Sequence, residues 1–188
     1  MSGVSERAEV SEAMQALYQG ERERGEALLA AGGDPDVFEA AAFGRVERLR
    51  DLLEADPSLA QELAPDGFTA LHFATFFAQP EAAALLLDRG ADPSARAQNP
   101  MEVEPLHSAA ASRQVEISRL LLDRGADPNA RQQGGFAPLH AAAQNGDEEL
   151  AALLLERGAD PSLAADDGKT AVDLARQAGH ERLADSLV

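Results

Sequence analysis

Residues 139–161 read LHAAAQNGDEELAALLLERGADP, and two earlier segments of the chain repeat this text closely. Residues 71–93 read LHFATFFAQPEAAALLLDRGADP, and residues 106–128 read LHSAAASRQVEISRLLLDRGADP. The glycines at positions 90, 125 and 158 are separated by 35 and 33 residues. A self-similar period near 33 residues predicts an array of small stacked units, which presents a long surface rather than a deep pocket.

Each unit reads as a helix, a turn, a second helix and an extended finger that leads to the next unit. The first helix, helix A, is predicted to follow a capping position, which in successive units is Thr69, Glu104, Ala137 and Thr170. The second helix, helix B, carries three consecutive leucines whose apolar face has no partner in its own unit, so stacking must bury it. Glycine suits the left-handed residue that ends a helix, and we expect this role for Gly90, Gly125 and Gly158.

The segment Gly67-Phe68-Thr69-Ala70-Leu71-His72-Phe73-Ala74, followed by LLLDRGAD at residues 85–92, resembles the ankyrin repeat. The resemblance is clearest over residues 66–165 and weaker over residues 34–65 and 166–188. It implies L-shaped repeats with β-hairpin fingers and a concave face formed by the fingers and the A helices. It also implies protein recognition without catalysis, because ankyrin arrays act mostly as recognition scaffolds.

The predicted fold is therefore mainly α, an ankyrin-repeat solenoid of about five repeats with an N-terminal helical cap. Residues 14–29 echo the first repeat at a spacing too short for a finger, which predicts a degenerate helical pair that caps the array. The predicted units of this single domain (1–188) are the cap (5–33), repeat 1 (34–65), repeat 2 (66–98), repeat 3 (99–131), repeat 4 (132–165) and a C-terminal capping repeat (166–188).

The composition excludes several classes of function. The 188 residues carry a formal net charge of −17 and no cysteine, so the surface repels nucleic acid and anionic lipid, and thiol chemistry is excluded. No apolar run reaches the ~18 residues of a membrane span, and the N-terminus has no apolar run of signal-peptide length. These features predict a cytoplasmic protein that binds neither nucleic acid nor membrane and favours partners with a basic surface. Lys169 is the only lysine, a composition associated with high-GC bacterial genomes and hence with a bacterial-type ankyrin protein.

The recurring histidines indicate no metal or catalytic site. Equivalent residues of neighbouring repeats are expected to lie about 10 Å apart, whereas a metal ion needs nitrogen ligands that converge at about 2 Å. The ankyrin resemblance implies instead that each ring bonds backbone near a finger. We therefore interpret His72, His107 and His140 as structural residues and predict no catalytic residue, cofactor or metal ion.

Aromatic residues are the strongest candidates for partner binding. Phe43, Phe76 and Phe77 fall just before the turn between the two helices of a repeat, and Phe68 and Phe136 fall at the base of a finger. The ankyrin resemblance implies that both places face the concave surface, where exposed aromatics act as interface anchors. The first three are expected to form one patch; packing against the neighbouring repeat or beneath the cap is an equally good explanation of Phe76 and Phe77.

The finger between the second and third repeats departs from the pattern. It is two residues longer than the others and lacks their glycine. Met101 and Val103 alternate with glutamates, as on a strand with one apolar face. We interpret these two residues, with Gln144 and Asn145 in the fourth repeat, as adaptable partner contacts. A neutral insertion in an exposed loop explains the finger equally well.

The predicted function is protein–protein recognition through the concave face, with no reaction and no cofactor. One alternative is a dedicated inhibitor or immunity-type partner of a single enzyme, which nanomolar affinity would distinguish from a transient adaptor. A metal or small-molecule binder is a second alternative, which a thermal-shift screen would reveal. The aromatic patch also leaves self-association open.

Overall fold

The structure is a computed structural model, and it describes residues 10–188. Within these residues the backbone forms α-helices that follow one another in pairs, two short 3-10 helices and no β-strand. The α-helices are α1 (Glu12–Tyr18), α2 (Arg22–Gly32), α3 (Val37–Ala42), α4 (Val46–Ala55), α5 (Ala70–Phe76), α6 (Pro80–Asp88), α7 (Pro105–Ala111), α8 (Val115–Asp123), α9 (Pro138–Asn145), α10 (Glu148–Glu156), α11 (Ala171–Gln177) and α12 (Glu181–Ser186).

The helices form two layers. The odd-numbered helices from α3 to α11, which are the A helices, pack successively against one another, and the even-numbered B helices from α4 to α10 do the same. Within each pair the A helix also packs against the B helix that follows it. A continuous apolar core runs along the stack. The chain is thus a helical repeat solenoid, the architecture that the period predicts.

A histidine completes the start of three A helices. The backbone N–H groups of Thr69, Glu104 and Ala137 precede α5, α7 and α9 and donate to Nδ1 of the histidine three residues later, at 3.2, 3.1 and 3.0 Å. The ring therefore does what a glutamate does in a capping box. Before α11 an aspartate replaces the histidine, and Asp173 accepts from the Thr170 N–H at 2.9 Å.

The other ring nitrogen ties a repeat to the next finger. Nε2 of His72 donates to the carbonyl oxygen of Val103, and Nε2 of His107 donates to that of Ala130, each at 3.0 Å. Because a carbonyl can only accept, Nε2 carries the proton and Nδ1 is free to accept. Burial lowers the pKa of His72 to about 4, and it also lowers the pKa values of His107 and His140, since desolvation penalises the charged ring.

Left-handed residues end the helices. Two residues after the last residue of α6, α8 and α10 lie Gly90, Gly125 and Gly158, where φ is +89°, +93° and +92°. A Cβ at these three glycines would meet no atom within 4 Å, so the backbone conformation alone favours glycine there. The turn between an A helix and its B helix also has one left-handed residue, which in successive pairs is Gly20, Gly44, Ala78, Arg113, Gly146 and Gly179.

The fingers are extended but form no strand among residues 10–188. Leu63 with Thr69 and Ala164 with Thr170 make isolated antiparallel bridges. Neighbouring fingers share single backbone hydrogen bonds, such as the one from the Gln98 N–H to the Gly67 carbonyl at 2.8 Å. Each finger is too short to add more rungs, so the hairpins that the resemblance implies are reduced to a tight turn and one bridge.

Arginines link successive B helices. In each of these pairs the arginine at the end of one B helix contacts a carboxylate at the end of the preceding one. The pairs are Arg89–Glu54 at 2.9 Å, Arg124–Asp88 at 2.8 Å and Arg157–Asp123 at 2.7 Å. These side chains are partly exposed to solvent, so each pair contributes little to stability.

The two ends of the solenoid are built differently. The cap predicted for residues 5–33 includes α1 and α2, and its residues 5–9 lie outside the described part of the chain. The pair is joined to α3 without a finger, since α2 ends at Gly32 and α3 begins at Val37. At the other end α12 is a B helix of six residues. None of the described helices is long and apolar enough to cross a membrane.

Candidate functional site

A groove of about 370 Å³ opens between α5 and α7 on the side of the A helices and fingers. We call it the aromatic groove. Its most exposed apolar side chains are Tyr18, Phe76 and Met101, with 45%, 47% and 50% of their surface accessible. The lining residues are Tyr18, Phe68, His72, Phe73, Phe76, Met101, Val103, His107, Ser108, Ala111 and Gln132.

Three elements of the repeat position these side chains. The last turn of α5 places Phe76 at the mouth of the groove, and the residue before the Thr69 cap places the half-buried Phe68 at its base. The long finger supplies Met101 and Val103. His72 holds this finger in place, because its Nε2 donates to the carbonyl oxygen of Val103. The predicted contacts Phe68, Phe76, Met101 and Val103 therefore lie around one depression.

Phe43 is a correction to the predicted exposed patch. Only 2% of its surface is accessible, so it belongs to the core. The physical reason lies in α2, where Gly25 lets the cap pack closely over this ring. A Cβ on Gly25 would lie 3.0 Å from Cζ of Phe43 and 3.1 Å from the carbonyl oxygen of Ala13. Phe43 is thus explained by packing beneath the cap and offers no surface to a partner.

Tyr18 takes the place that was expected for Phe43, and the sequence analysis missed it. Its ring lies 5.6 Å from that of the half-buried Phe77, which in turn lies 5.1 Å from that of Phe76. The signal was present in the turns: Tyr18 lies two residues before the left-handed Gly20, just as Phe76 lies two residues before the left-handed Ala78. The tyrosine of the cap and the phenylalanine of α5 are therefore equivalent residues.

A carboxylate orients Tyr18. Its hydroxyl donates to Oδ2 of Asp66 at 3.0 Å, while Oδ1 of Asp66 accepts from the Phe68 N–H at 3.3 Å. Burial, followed by the charge and the hydrogen bond of Asp66, raises the pKa of Tyr18 above its usual value. The phenol therefore stays neutral and keeps donating to Asp66 at any physiological pH.

A smaller depression of about 90 Å³ adjoins the aromatic groove and shares Phe73 with it. We call it the acidic pocket, because three carboxylates line it: those of Asp36, Glu39 and Asp66. Glu39 is held in place by Ser11, whose hydroxyl donates to Oε1 at 2.6 Å. Asp36 caps α3, since its Oδ1 accepts from the backbone N–H groups of Phe38 and Glu39, both at 2.9 Å. The remaining lining residues are Val10, Ser11, Met14, Phe38, Ala64, Pro65 and Phe73.

One repeat further along, between α7 and α9, a depression of about 270 Å³ has a different lining. We call it the polar groove. Two of the predicted contacts line it, since Phe136 is half-buried at its base and Gln144 is exposed at its mouth, whereas the neighbouring Asn145 is not among its lining residues. The Asn145 side chain donates to the carbonyl oxygens of Ala110 and Ala111, both at 3.4 Å, so it already bonds the preceding repeat. The residues that line the polar groove are His107, Ala111, Gln132, Phe136, Ala137, Ala141 and Gln144.

The described histidine and carboxylate side chains do not converge on a metal centre. Among residues 10–188 no group of three histidine, aspartate or glutamate side chains is placed to hold a metal ion. His72 and His107 use both ring nitrogens for backbone hydrogen bonds. The three depressions present apolar side chains, amides and carboxylates at the surface.

Comparison with known proteins agrees with the helical repeats. The family model described as ankyrin repeats, in three copies, matches residues 37–132 and 106–188. A segment of 65 residues is 42% identical to the E3 ubiquitin-protein ligase XB3 of Oryza sativa subsp. japonica, covering 34% of this chain and 14% of that protein. A segment of 72 residues is 40% identical to the probable E3 ubiquitin-protein ligase XBOS31 of the same organism, covering 36% of this chain and 16% of that protein. The chain thus matches about one-sixth or less of the length of these relatives.

Proposed function

The chain belongs to the ankyrin-repeat family, and on that premise we propose that it binds a partner protein through the face formed by its A helices and fingers, without catalysing a reaction. The observation that carries this proposal is the aromatic groove, which leaves Phe76 and Met101 about half exposed. Large apolar side chains that gather at an exposed depression are a mark of an interface, because solvating them costs free energy that a partner recovers.

The contacts fall into two classes. Tyr18, Phe68 and Phe76 are the proposed anchors, since aromatic rings bury much area with little loss of side-chain freedom. Met101 and Val103 are the proposed adaptable contacts, because they lie on a finger that the repeat pattern does not require. Phe77 supports the anchors from behind, where it packs against Tyr18 and Phe76.

The polar groove extends the proposed surface. Phe136, Gln144 and Asn145 would meet a partner that continues past the aromatic groove. The formal net charge of −17 supports a partner with a basic surface and an array that avoids nucleic acid, and the cytoplasmic location remains a prediction from the composition. We do not extend the ligase activity of the rice proteins to this chain, because the matched segments cover 14% and 16% of those proteins.

The test is capture of the partner from a lysate of the source organism with three immobilised baits. They are the wild-type chain, Phe76→Ser, and Glu116→Ser as a control at an exposed residue of α8 that lines none of the three depressions. We expect a partner that the wild type and Glu116→Ser retain and that Phe76→Ser loses. Denaturant unfolding of each bait verifies that the variants fold, since substitution of an exposed residue changes the unfolding free energy by about 0.5 kcal/mol or less.

Equal retention by all three baits would contradict the proposed surface. With a captured partner in hand, the dissociation constant decides between two roles. A transient adaptor binds at micromolar and a dedicated inhibitor at nanomolar concentration. Sedimentation of the wild-type chain alone tests whether the partner is a second copy of the chain.

A further inference from the structure

Resting on the proposed function, we infer that the partner presents a short segment in which a large apolar side chain stands next to an arginine or lysine. The apolar side chain fills the aromatic groove, and the cation enters the acidic pocket. The inference names the chemistry of the partner and the place of each of its two groups.

The two depressions adjoin each other. Phe73 lines both of them, and the hydrogen bond from Tyr18 to Asp66 crosses the boundary between them. Phe68 lines the aromatic groove, and its backbone N–H donates to the Asp66 carboxylate of the acidic pocket. Neighbouring side chains of a single bound segment can therefore occupy both depressions at once.

The larger depression suits an apolar side chain. Its volume of about 370 Å³ exceeds by far the ~30 Å³ that a water molecule occupies in the liquid. Tyr18, Phe68, Phe76 and Met101 supply apolar surface around it. A polar side chain placed there would lose hydrogen bonds to water with few partners to replace them.

The smaller depression suits a cation, because three carboxylates line it. Within residues 10–188, no arginine or lysine makes an ion pair with Asp36, Glu39 or Asp66, whereas arginines neutralise carboxylates along the B helices. The three carboxylates are already held by hydrogen bonds from the protein, so a bound cation would not have to order them.

The aromatic boundary favours the same occupant. The rings of Tyr18 and Phe73 lie 6.5 Å apart at the junction of the two depressions. Of the two rings, that of Tyr18 is 45% exposed, and the face of an exposed ring attracts a nearby guanidinium or ammonium group through its quadrupole. The net charge of −17 adds a long-range attraction that brings a basic segment to this surface.

The test uses a displayed library of random 12-residue peptides selected on the wild-type chain. Enriched sequences are then synthesised with a fluorescent label, and their dissociation constants are measured for wild type, Phe76→Ser, Asp66→Asn and Glu116→Gln. Asparagine at position 66 keeps one oxygen that can accept from the Phe68 N–H, and its amide NH2 can donate to the Tyr18 hydroxyl, but it lacks the charge. Glu116 is an exposed carboxylate on α8 and makes the matched control for the loss of one charge.

We expect enriched peptides to carry an arginine or lysine within about four residues of a large apolar residue, the reach of neighbouring side chains on one segment. Phe76→Ser should weaken their binding more than about tenfold. Asp66→Asn should weaken it about threefold to tenfold, and Glu116→Gln should leave it unchanged. Raising the salt concentration from 0.05 to 0.5 M should weaken binding to wild type more than binding to Asp66→Asn, because salt screens the lost interaction.

Three results would overturn the inference. Apolar peptides without a basic residue, bound equally by wild type and Asp66→Asn but not by Phe76→Ser, would leave the proposed function standing and remove its basic component. Peptides bound equally by wild type and Phe76→Ser would contradict both. A selection that enriches no peptide would also overturn the inference, because the inference requires that a short segment is enough for binding. The capture experiment would still decide the proposed function.

Discussion

The aromatic groove and the polar groove lie one repeat apart on the same framework, yet they offer a partner different chemistry. Toward the cap, α5 contributes Phe73 and Phe76 to the aromatic groove. The equivalent residues of α9, Ala141 and Gln144, line the polar groove. Beneath both, a leucine and a histidine occupy the same buried places in each repeat. The buried framework residues therefore specify the stack, whereas the exposed residues of each A helix specify what the stack can bind.

The difference between the two grooves requires that Phe76 be a surface residue and not part of the hydrophobic core. Phe73→Ala removes a ring of which 3% is accessible, and it should lower the free energy of unfolding by about 3–5 kcal/mol. Phe43→Ala should do the same beneath the cap. Phe76→Ala should change it by about 0.5 kcal/mol or less. Equilibrium denaturation in urea measures all three, and a large loss for Phe76→Ala would make the groove part of the core.

Exchanging equivalent residues of the two grooves tests how much each groove contributes to partner affinity. Phe76→Gln gives α5 the residue that α9 carries at the same position. We expect partner affinity to fall about 30-fold, which corresponds to the ~2 kcal/mol of an interface anchor. Gln144→Ala should change affinity less than about twofold, since isolated rim contacts contribute little. Calorimetric titration with the captured partner measures both, and equal losses would show that the two grooves contribute alike.

The buried histidines make the free energy of unfolding depend on pH. Unfolding returns His72 from a pKa of about 4 to the ordinary 6.5, so the unfolded chain binds more protons between these values. The free energy of unfolding should therefore fall as the pH is lowered from 6.5 towards 4, by up to about 1.4 kcal/mol per pH unit for this group.

Denaturation at a series of pH values measures this slope in wild type and in His72→Gln. The variant should have the shallower slope by close to one proton, whatever its absolute stability. Burial raises the pKa of Glu104, whose protonation acts in the opposite direction, and the difference between the two proteins cancels this contribution. Equal slopes would contradict the neutral, buried ring.

The smallest predicted effect concerns the turns beneath the two grooves. Ala78 follows α5 and Arg113 follows α7 with φ of +56° and +58°, whereas α9 is followed by Gly146. Ala78→Gly should raise the free energy of unfolding by about 0.5 kcal/mol, because the relief of a left-handed alanine exceeds the entropy that glycine adds to the unfolded chain. Gly146→Ala is the opposite control and should destabilise, since its Cβ would lie 2.6 Å from the His180 ring.

The parts of the fold that repeat could be predicted from the sequence. The period places Thr69 and its counterparts before the A helices and Gly90 and its counterparts after the B helices, and the structure has them there. A single repeat carries these signals locally, in capping and in backbone conformation. They hold for every copy because each copy meets the same neighbours.

The candidate site could be predicted only in part, because it lies where the repeat pattern stops. Phe76 is indicated as an aromatic at a variable position of helix A, and Met101 and Val103 are indicated by a finger that departs from the pattern; all three line one groove. Phe43, which was expected in the exposed patch, is buried, and Tyr18, for which no role was predicted, is exposed there. What decides between them is how closely the cap approaches α3, and that depends on the missing side chain of Gly25 rather than on any period.

The hydrogen bond from His72 to the finger beyond it has a mechanical consequence. The solenoid cannot open at the joint between α6 and α7 without breaking the hydrogen bond from His72 Nε2 to the carbonyl oxygen of Val103. Local unfolding of one repeat is thereby coupled to the loss of a contact with the neighbouring repeat. A segment bound in the aromatic groove spans this joint, so it would protect the backbone of both flanking repeats from proteases and from hydrogen exchange.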